Sequence, residues 1–377
     1  MAPNQRVLES PAAVRRRRNR LALLLPILAA CGADGGGEPE PADRASVDRP
    51  ASVPTLGVRS VGTTALLQAV SPASANVVWL SGHEGTWVRS VDGGESWVVG
   101  VVPGHETLQF RDVHGFDARN AVLMSAGTGP ESRIFRTADG GDSWNEVFRM
   151  DEAEGFLDCM DFWDRERGIV YGDALDGELY LLVTEDGGGS WRRVAPGALP
   201  PAQEGEGGFA ASGTCVATED PDRAWIATGN GPEPRLLRTD DGGETWSARD
   251  LPLVGGTARG ATTVGMRPDG MGFALGGDLD PEGAGIRVAL TADRGATWSV
   301  AGELQMAGAV YGAAWVPDRE PATLFAVGPG GIDWSADGGM TWSSADSTGH
   351  WAVGFASRDL GWAVGPEGRV TEIRLRP

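Results

Sequence analysis

The segment Ser90-Val91-Asp92-Gly93-Gly94-Glu95-Ser96-Trp97 decides the fold. Five more segments repeat its pattern, ending at Trp144, Trp191, Trp246, Trp298 and Trp342. Each has Ser or Thr first, Asp third, Gly fifth, Ser or Thr seventh and Trp last. The aspartates are Asp92, Asp139, Asp186, Asp241, Asp293 and Asp337. The chemistry is that of a tight hairpin turn. A short carboxylate accepts backbone N–H groups across the turn. Glycines adopt the positive φ that such turns need. The Trp opens the next strand and packs its ring over the turn. Successive Trp residues lie 47, 47, 55, 52 and 44 positions apart, enough for four short strands per repeat.

The rest of each repeat fits four strands. In the second, the expected strands are 108–114, 121–126, 133–137 and 143–148. Second-strand patterns recur at Val78-Trp79-Leu80, Ala224-Trp225-Ile226, Leu324-Phe325-Ala326 and Gly361-Trp362-Ala363. The last belongs to a seventh unit, about residues 350–375, which has three strands and no Asp motif. Its missing outer strand can come from residues 56–61, ahead of the first repeat. That closes a ring and leaves no open edge. The expected fold is all-β: a seven-bladed β-propeller of four-stranded antiparallel blades over residues 55–377.

The repeated octapeptide resembles the Asp box, or BNR repeat, of sialidases and related propellers. In those families the box lies away from the active site, so it specifies fold and says little of function. A second resemblance lies between residues 156 and 280. Phe156-Leu157-Asp158-Cys159-Met160-Asp161-Phe162-Trp163, Gly172-Asp173, Gly205-Glu206-Gly207-Gly208-Phe209 and Gly276-Gly277-Asp278 resemble exported bacterial propellers. These are grouped with the plant and cyanobacterial photosystem II stability/assembly factor, and sometimes labelled oxidoreductase or glycosyl hydrolase. The resemblance implies a protein-binding, assembly-factor-like scaffold. A glycan-active, sialidase-like enzyme is the alternative.

The N-terminus points to export. Arg15 to Arg18 and Arg20 precede an apolar stretch, 21–30, too short to span a bilayer as a helix. It ends in Leu28-Ala29-Ala30-Cys31-Gly32, which resembles a bacterial lipobox. Residues 1–30 therefore read as a lipoprotein signal peptide and Cys31 as the lipidated residue. Residues 31–54, rich in Gly, Pro, Ala, Asp and Glu, read as a tether. The expected location is the cell envelope, with membrane attachment only through the lipid.

The chain has no Lys; all 32 basic residues are Arg, against 52 acids, for a net charge of -20. Such a body repels nucleic acid, and no nucleic-acid partner is expected. Enzyme motifs are missing. Only Tyr171, Tyr180 and Tyr311 could serve as a sialidase nucleophile. The motifs Gly127-Thr128-Gly129-Pro130 and Gly229-Asn230-Gly231-Pro232 lie between strands, not before a helix, so they do not read as dinucleotide loops. With 4 His in all, none spaced as in a metalloprotease, neither metal nor cofactor is expected.

One constellation remains. Loops joining second to third strands share a face with the interblade loops. That face collects Asp173, Asp176, Asp278, Asp280 and Glu282, with Glu204 and Glu206 on the insert 195–212. Two readings stay open: an acidic pocket over blades three to five that takes a cation, sugar or basic peptide, or solvated loops whose carboxylates cap turns. Cys159 and Cys215 each precede the same point of their repeat's second strand by ten residues, which places both on innermost strands of neighbouring blades. An oxidising compartment then favours a disulfide over two free thiols.

Overall fold

The computed structural model describes residues 53–280 and 283–376. Cys31, the expected signal peptide and nearly all of the expected tether lie outside them, as does Glu282. Seven four-stranded antiparallel sheets follow one another around an axis. Blades one to six occupy 67–101, 110–149, 157–193, 216–250, 259–300 and 312–346. Blade seven combines Ala352–Ser357, Leu360–Gly365 and Arg369–Arg374 with Thr55–Arg59 from the N-terminal side. The two helical turns among the described residues, Gly129–Glu131 and Pro196–Ala198, are 3-10.

Ring closure pairs Thr55 with Arg374 through Arg59 with Val370. The strand ends two residues short of the expected 61. Gly62 turns the chain at φ +87°, and Val61 drops into the core between blades seven and one. In blade two the outer strand begins at Asn145 rather than Ser143. Ser143 is held in the turn, where its amide and hydroxyl both donate to Asp139.

The Asp boxes form as local chemistry requires. Ser90 Oγ donates to Asp92 Oδ1 at 2.8 Å and accepts the Gly94 amide at 2.8 Å. Asp92 Oδ1 in turn accepts the Ser96 amide at 2.9 Å. The same relay recurs around Asp139, Asp186, Asp241, Asp293 and Asp337. Hydrogen bonds from the Ser96 hydroxyl and amide hold the Asp92 carboxyl down at about 2. The fifth-position glycine has a second duty, because it faces the preceding blade. A Cβ on Gly141 would lie 2.5 Å from the Trp87 ring.

Hydrophobic clusters fill the wedges between blades. Trp79 and Trp87 of blade one pack with Phe110, Leu123 and Phe135 of blade two. Trp79 Nε1 donates to Asp117 O and Trp225 Nε1 to Arg294 O, so buried indoles bond carbonyls of the next blade.

Candidate functional site

Strand alternation sets two faces. First-to-second turns and Asp boxes lie on one, here the Asp-box face. Second-to-third loops and interblade connections lie on the other, which carries the long connection from blade three to blade four, here the insert. This connection leaves blade three after a two-residue outer strand, Arg192–Arg193, and covers the exposed edge beside it through an isolated bridge from Pro201 to Glu178. It then turns inward.

Residues 207–213 cross the propeller axis. Gly207 pairs with Gly229 of blade four, which pairs with Gly260 of blade five. Gly208 N donates to Asp158 and Asp173 of blade three, both at 3.2 Å. Ala210 O and Ala211 O accept from Gln68 Nε2 of blade one at 3.2 and 3.3 Å. Arg111 of blade two reaches Ala210 O, and Ser212 Oγ donates to Tyr311 O of blade six at 2.7 Å. Phe209, Ala210, Ala211 and Ser212 are all buried. The insert is thus a plug held by five of the seven blades, and its small residues follow from crowding at the axis. A Cβ on Gly207 would lie 1.8 Å from Asp173 Oδ1, and one on Gly213 2.2 Å from Asp112 Oδ1.

The side chains that hold the plug share a backbone device. Register shifts fall at Gln68, Arg111 and Asp158 in the innermost strands of blades one, two and three, and at Thr262 in blade five. A bulge re-aims the extra residue. Here it turns three polar side chains onto the insert backbone.

The candidate carboxylates fall into three groups. Glu206 is fully buried and paired with Arg235, whose Nε donates at 2.8 Å; Thr228 Oγ1 and Gln203 N also donate to it. Asp278 is buried against Arg259, whose Nε donates at 2.7 Å, and it accepts the Asp280 amide. Asp173 lies beneath the insert, hydrogen-bonded to Asp158. Burial pushes the Asp158 carboxyl well up, and the neighbouring Asp173 charge adds to this. Burial also pushes Asp173 up, to about 6, against the opposing Gly208 amide. Asp176, at φ +53°, Glu204 and Asp280 are exposed. The acids therefore share a face, but they do not line one open pocket: Glu206 and Asp278 pair with separate arginines, and Asp173 sits under the plug.

Sequence reasoning missed Asp112, Asp158, Arg111, Arg235 and Arg259. The only local signal was the run of small residues from Gly205 to Gly213. Cys159 and Cys215 form a disulfide with Cα atoms 5.7 Å apart, fully buried, at the point where the insert enters blade four. Neither Tyr171 nor Tyr180 is set up as a nucleophile. Tyr171 is buried without a hydrogen-bond partner. Tyr180 contacts Glu152, and burial raises its phenol to about 12, the opposite of activation.

Fold and site together define a seven-bladed β-propeller with a plugged axis. No family model matches the chain. Its fold is similar to that of YCF48 from Cyanidioschyzon merolae, with a TM-score of 0.60, 17% identity, and coverage of 85% of this chain and 98% of that one. It is also similar to YCF48 bound to D1 peptide, with a TM-score of 0.55, 17% identity and coverage of 85% and 97%. The expected resemblance to the photosystem II assembly factor thus holds at the level of fold. A xyloglucanase of Paenibacillus sp is 27% identical over 124 residues, covering 30% of this chain. The chain spans only 11% of that enzyme's length.

Proposed function

We propose that this chain is an exported, lipid-anchored propeller that docks a protein partner in the cell envelope on its insert face. The observation that carries this reading is the plug. Enzymes need groups converging on an open cavity, whereas here the axis is filled from the insert side and the buried acids are already paired. The result is a broad face with exposed Asp176 and Glu204, suited to a partner surface. The structure of YCF48 bound to D1 peptide supports the same reading, because a propeller of similar fold takes a peptide partner. Anchoring rests on Cys31 in its lipobox-like setting. Labelling with an alkyne fatty acid should mark wild type and not Cys31→Ser.

Partner docking is tested by placing a photo-crosslinking residue at Glu204 or, as a control, at Met340 on the Asp-box face. Crosslinking in the native envelope should give a discrete adduct at 204 and none at 340, and Asp176→Arg should weaken it. Equal adducts at both positions, or none, would overturn the reading.

The glycan-active alternative draws on the xyloglucanase similarity. Retaining glycosidases hold two carboxyls about 5–5.5 Å apart across the bond. Asp158 and Asp173 instead bond each other under the insert. Reducing ends released from xyloglucan by the purified domain, and lost in Asp173→Asn, would favour the enzyme.

A further inference from the structure

The plug leaves the other end of the axis open. On the Asp-box face the channel ends in a blind cavity of about 310 Å³. Its walls come from the innermost strands of blades one to six, and its floor from residues 212–214 of the insert. That volume is at the lower end of small-molecule sites, and the lining is about half polar and half apolar.

The hydroxyls of Ser71, Ser212 and Thr214 are engaged within the protein, which leaves Asp112, His114 and Asp161. Asp161 is fixed on the wall: Thr218 N and Thr218 Oγ1 donate to its Oδ2 at 2.9 and 3.0 Å, and its own neighbour Phe162 N to Oδ1 at 2.8 Å. His114 Nδ1 lies 3.4 Å from the same Oδ1. The imidazole is held against the rings of Phe116 and Phe162, with centroids 4.8 and 4.7 Å away. Asp112 accepts the Met160 amide and is buried. Among the described lining residues there is no Arg, and the chain has no Lys. The cavity therefore offers acceptors and a carboxylate with no fixed positive charge, between apolar side chains that include Met160, Val264 and Trp315. An anion would meet the Asp161 carboxylate with no fixed positive charge to offset it. A metal ion would need several ligands, and no cluster of three or more His, Cys, Asp or Glu exists among the described residues.

We propose that this cavity binds a small organic ammonium ion, with its charged nitrogen on Asp161 beside His114 and its apolar body between Met160, Val264 and Trp315. A charge-assisted hydrogen bond to a part-buried carboxylate supplies the selectivity, and the fixed side chains reduce the ordering cost of binding. The site lies on the face opposite the proposed partner surface and does not depend on it.

The test uses the mature domain, with phenethylammonium as probe and 2-phenylethanol and phenylacetate as its neutral and anionic counterparts. Calorimetry and saturation-transfer NMR at low salt should detect binding of the ammonium alone. Asp161→Asn keeps an acceptor for Thr218 and should weaken binding about tenfold, the scale of one charge-assisted contact. Ala314→Phe, on the cavity wall, should abolish it, with thermal melts confirming that both variants fold. If Ala314→Phe fails to fold, Asp161→Asn still decides. Equal binding of the alcohol, no binding of phenethylammonium at millimolar concentration, or unchanged affinity in Asp161→Asn would overturn the proposal.

Discussion

Asp158 and Asp173 show how buried carboxyls make the hold on a segment depend on pH. Each carboxyl touches the insert backbone at Gly208, and both are raised by burial. Asp173 stands at about 6, above the roughly 4 of an unfolded Asp. A raised pKa means that the folded state favours the proton. The stabilisation is complete below about pH 4 and is lost as pH rises through about 6. Stability should therefore fall by about 2 kcal/mol between pH 4 and 7, part of it seen as faster exchange in residues 205–213. In Asp173→Asn, which removes the titrating group, that slope should flatten, and chemical denaturation across this range measures it. Arg235 is the second residue of consequence. Its Glu206 partner is fully buried, so Arg235→Ala strands a charge. The expected loss is about 3–5 kcal/mol by urea denaturation; a loss under about 1 kcal/mol would mean that the pair is not closed in solution. These roles were only half legible in the sequence. Loop position and acidity picked out Asp173, Glu206 and Asp278. The partners Arg235, Arg259 and Asp158 sit in ordinary strand patterns, and only tertiary placement turns them toward the acids.

At the scale of the element, the Asp box was readable because its bonds lie within eight residues. Closure was readable because the seventh unit lacked a strand and a spare one preceded the first. Its boundary was not, since burial of Val61 and the turn at Gly62 set where pairing stops. The bulges at Gln68, Arg111 and Asp158 left no trace in periodicity. They arise from seven strands converging on an occupied axis, which a local pattern does not encode. Closure makes a sharp expectation for truncations. Removing residues 31–52 should leave the melting temperature unchanged, because pairing begins at Thr55. Removing 31–62 takes away the whole strand, and with it the Arg59–Glu372 ion pair and the Val61 contact, and exposes the edge of Arg369–Arg374. Its melting temperature should drop by many degrees. Equal melting of the two truncations would contradict the closure.

For the whole molecule, the disulfide and the plug are one arrangement. Cys159 lies on the innermost strand of blade three, and Cys215 ends the insert as blade four begins. The bridge closes a loop of 56 residues that includes the entire insert. By chain entropy it contributes about 4 kcal/mol, so Cys159→Ser with Cys215→Ser should lower unfolding free energy by about that much. The insert's irregular composition suggested a functional loop on a face, and its passage through the axis was invisible because contacts with blades one, two and six lie far away in sequence. That passage carries the proposed reading of this face as a docking surface, and it is open to direct measurement. Hydrogen exchange followed by mass spectrometry should find the peptide covering 205–214 as slow as the innermost strands and far slower than the exposed turn at Asp176. Exchange there at the rate of a surface loop would show that the axis is open, and would contradict the account of this face as a scaffold for a partner.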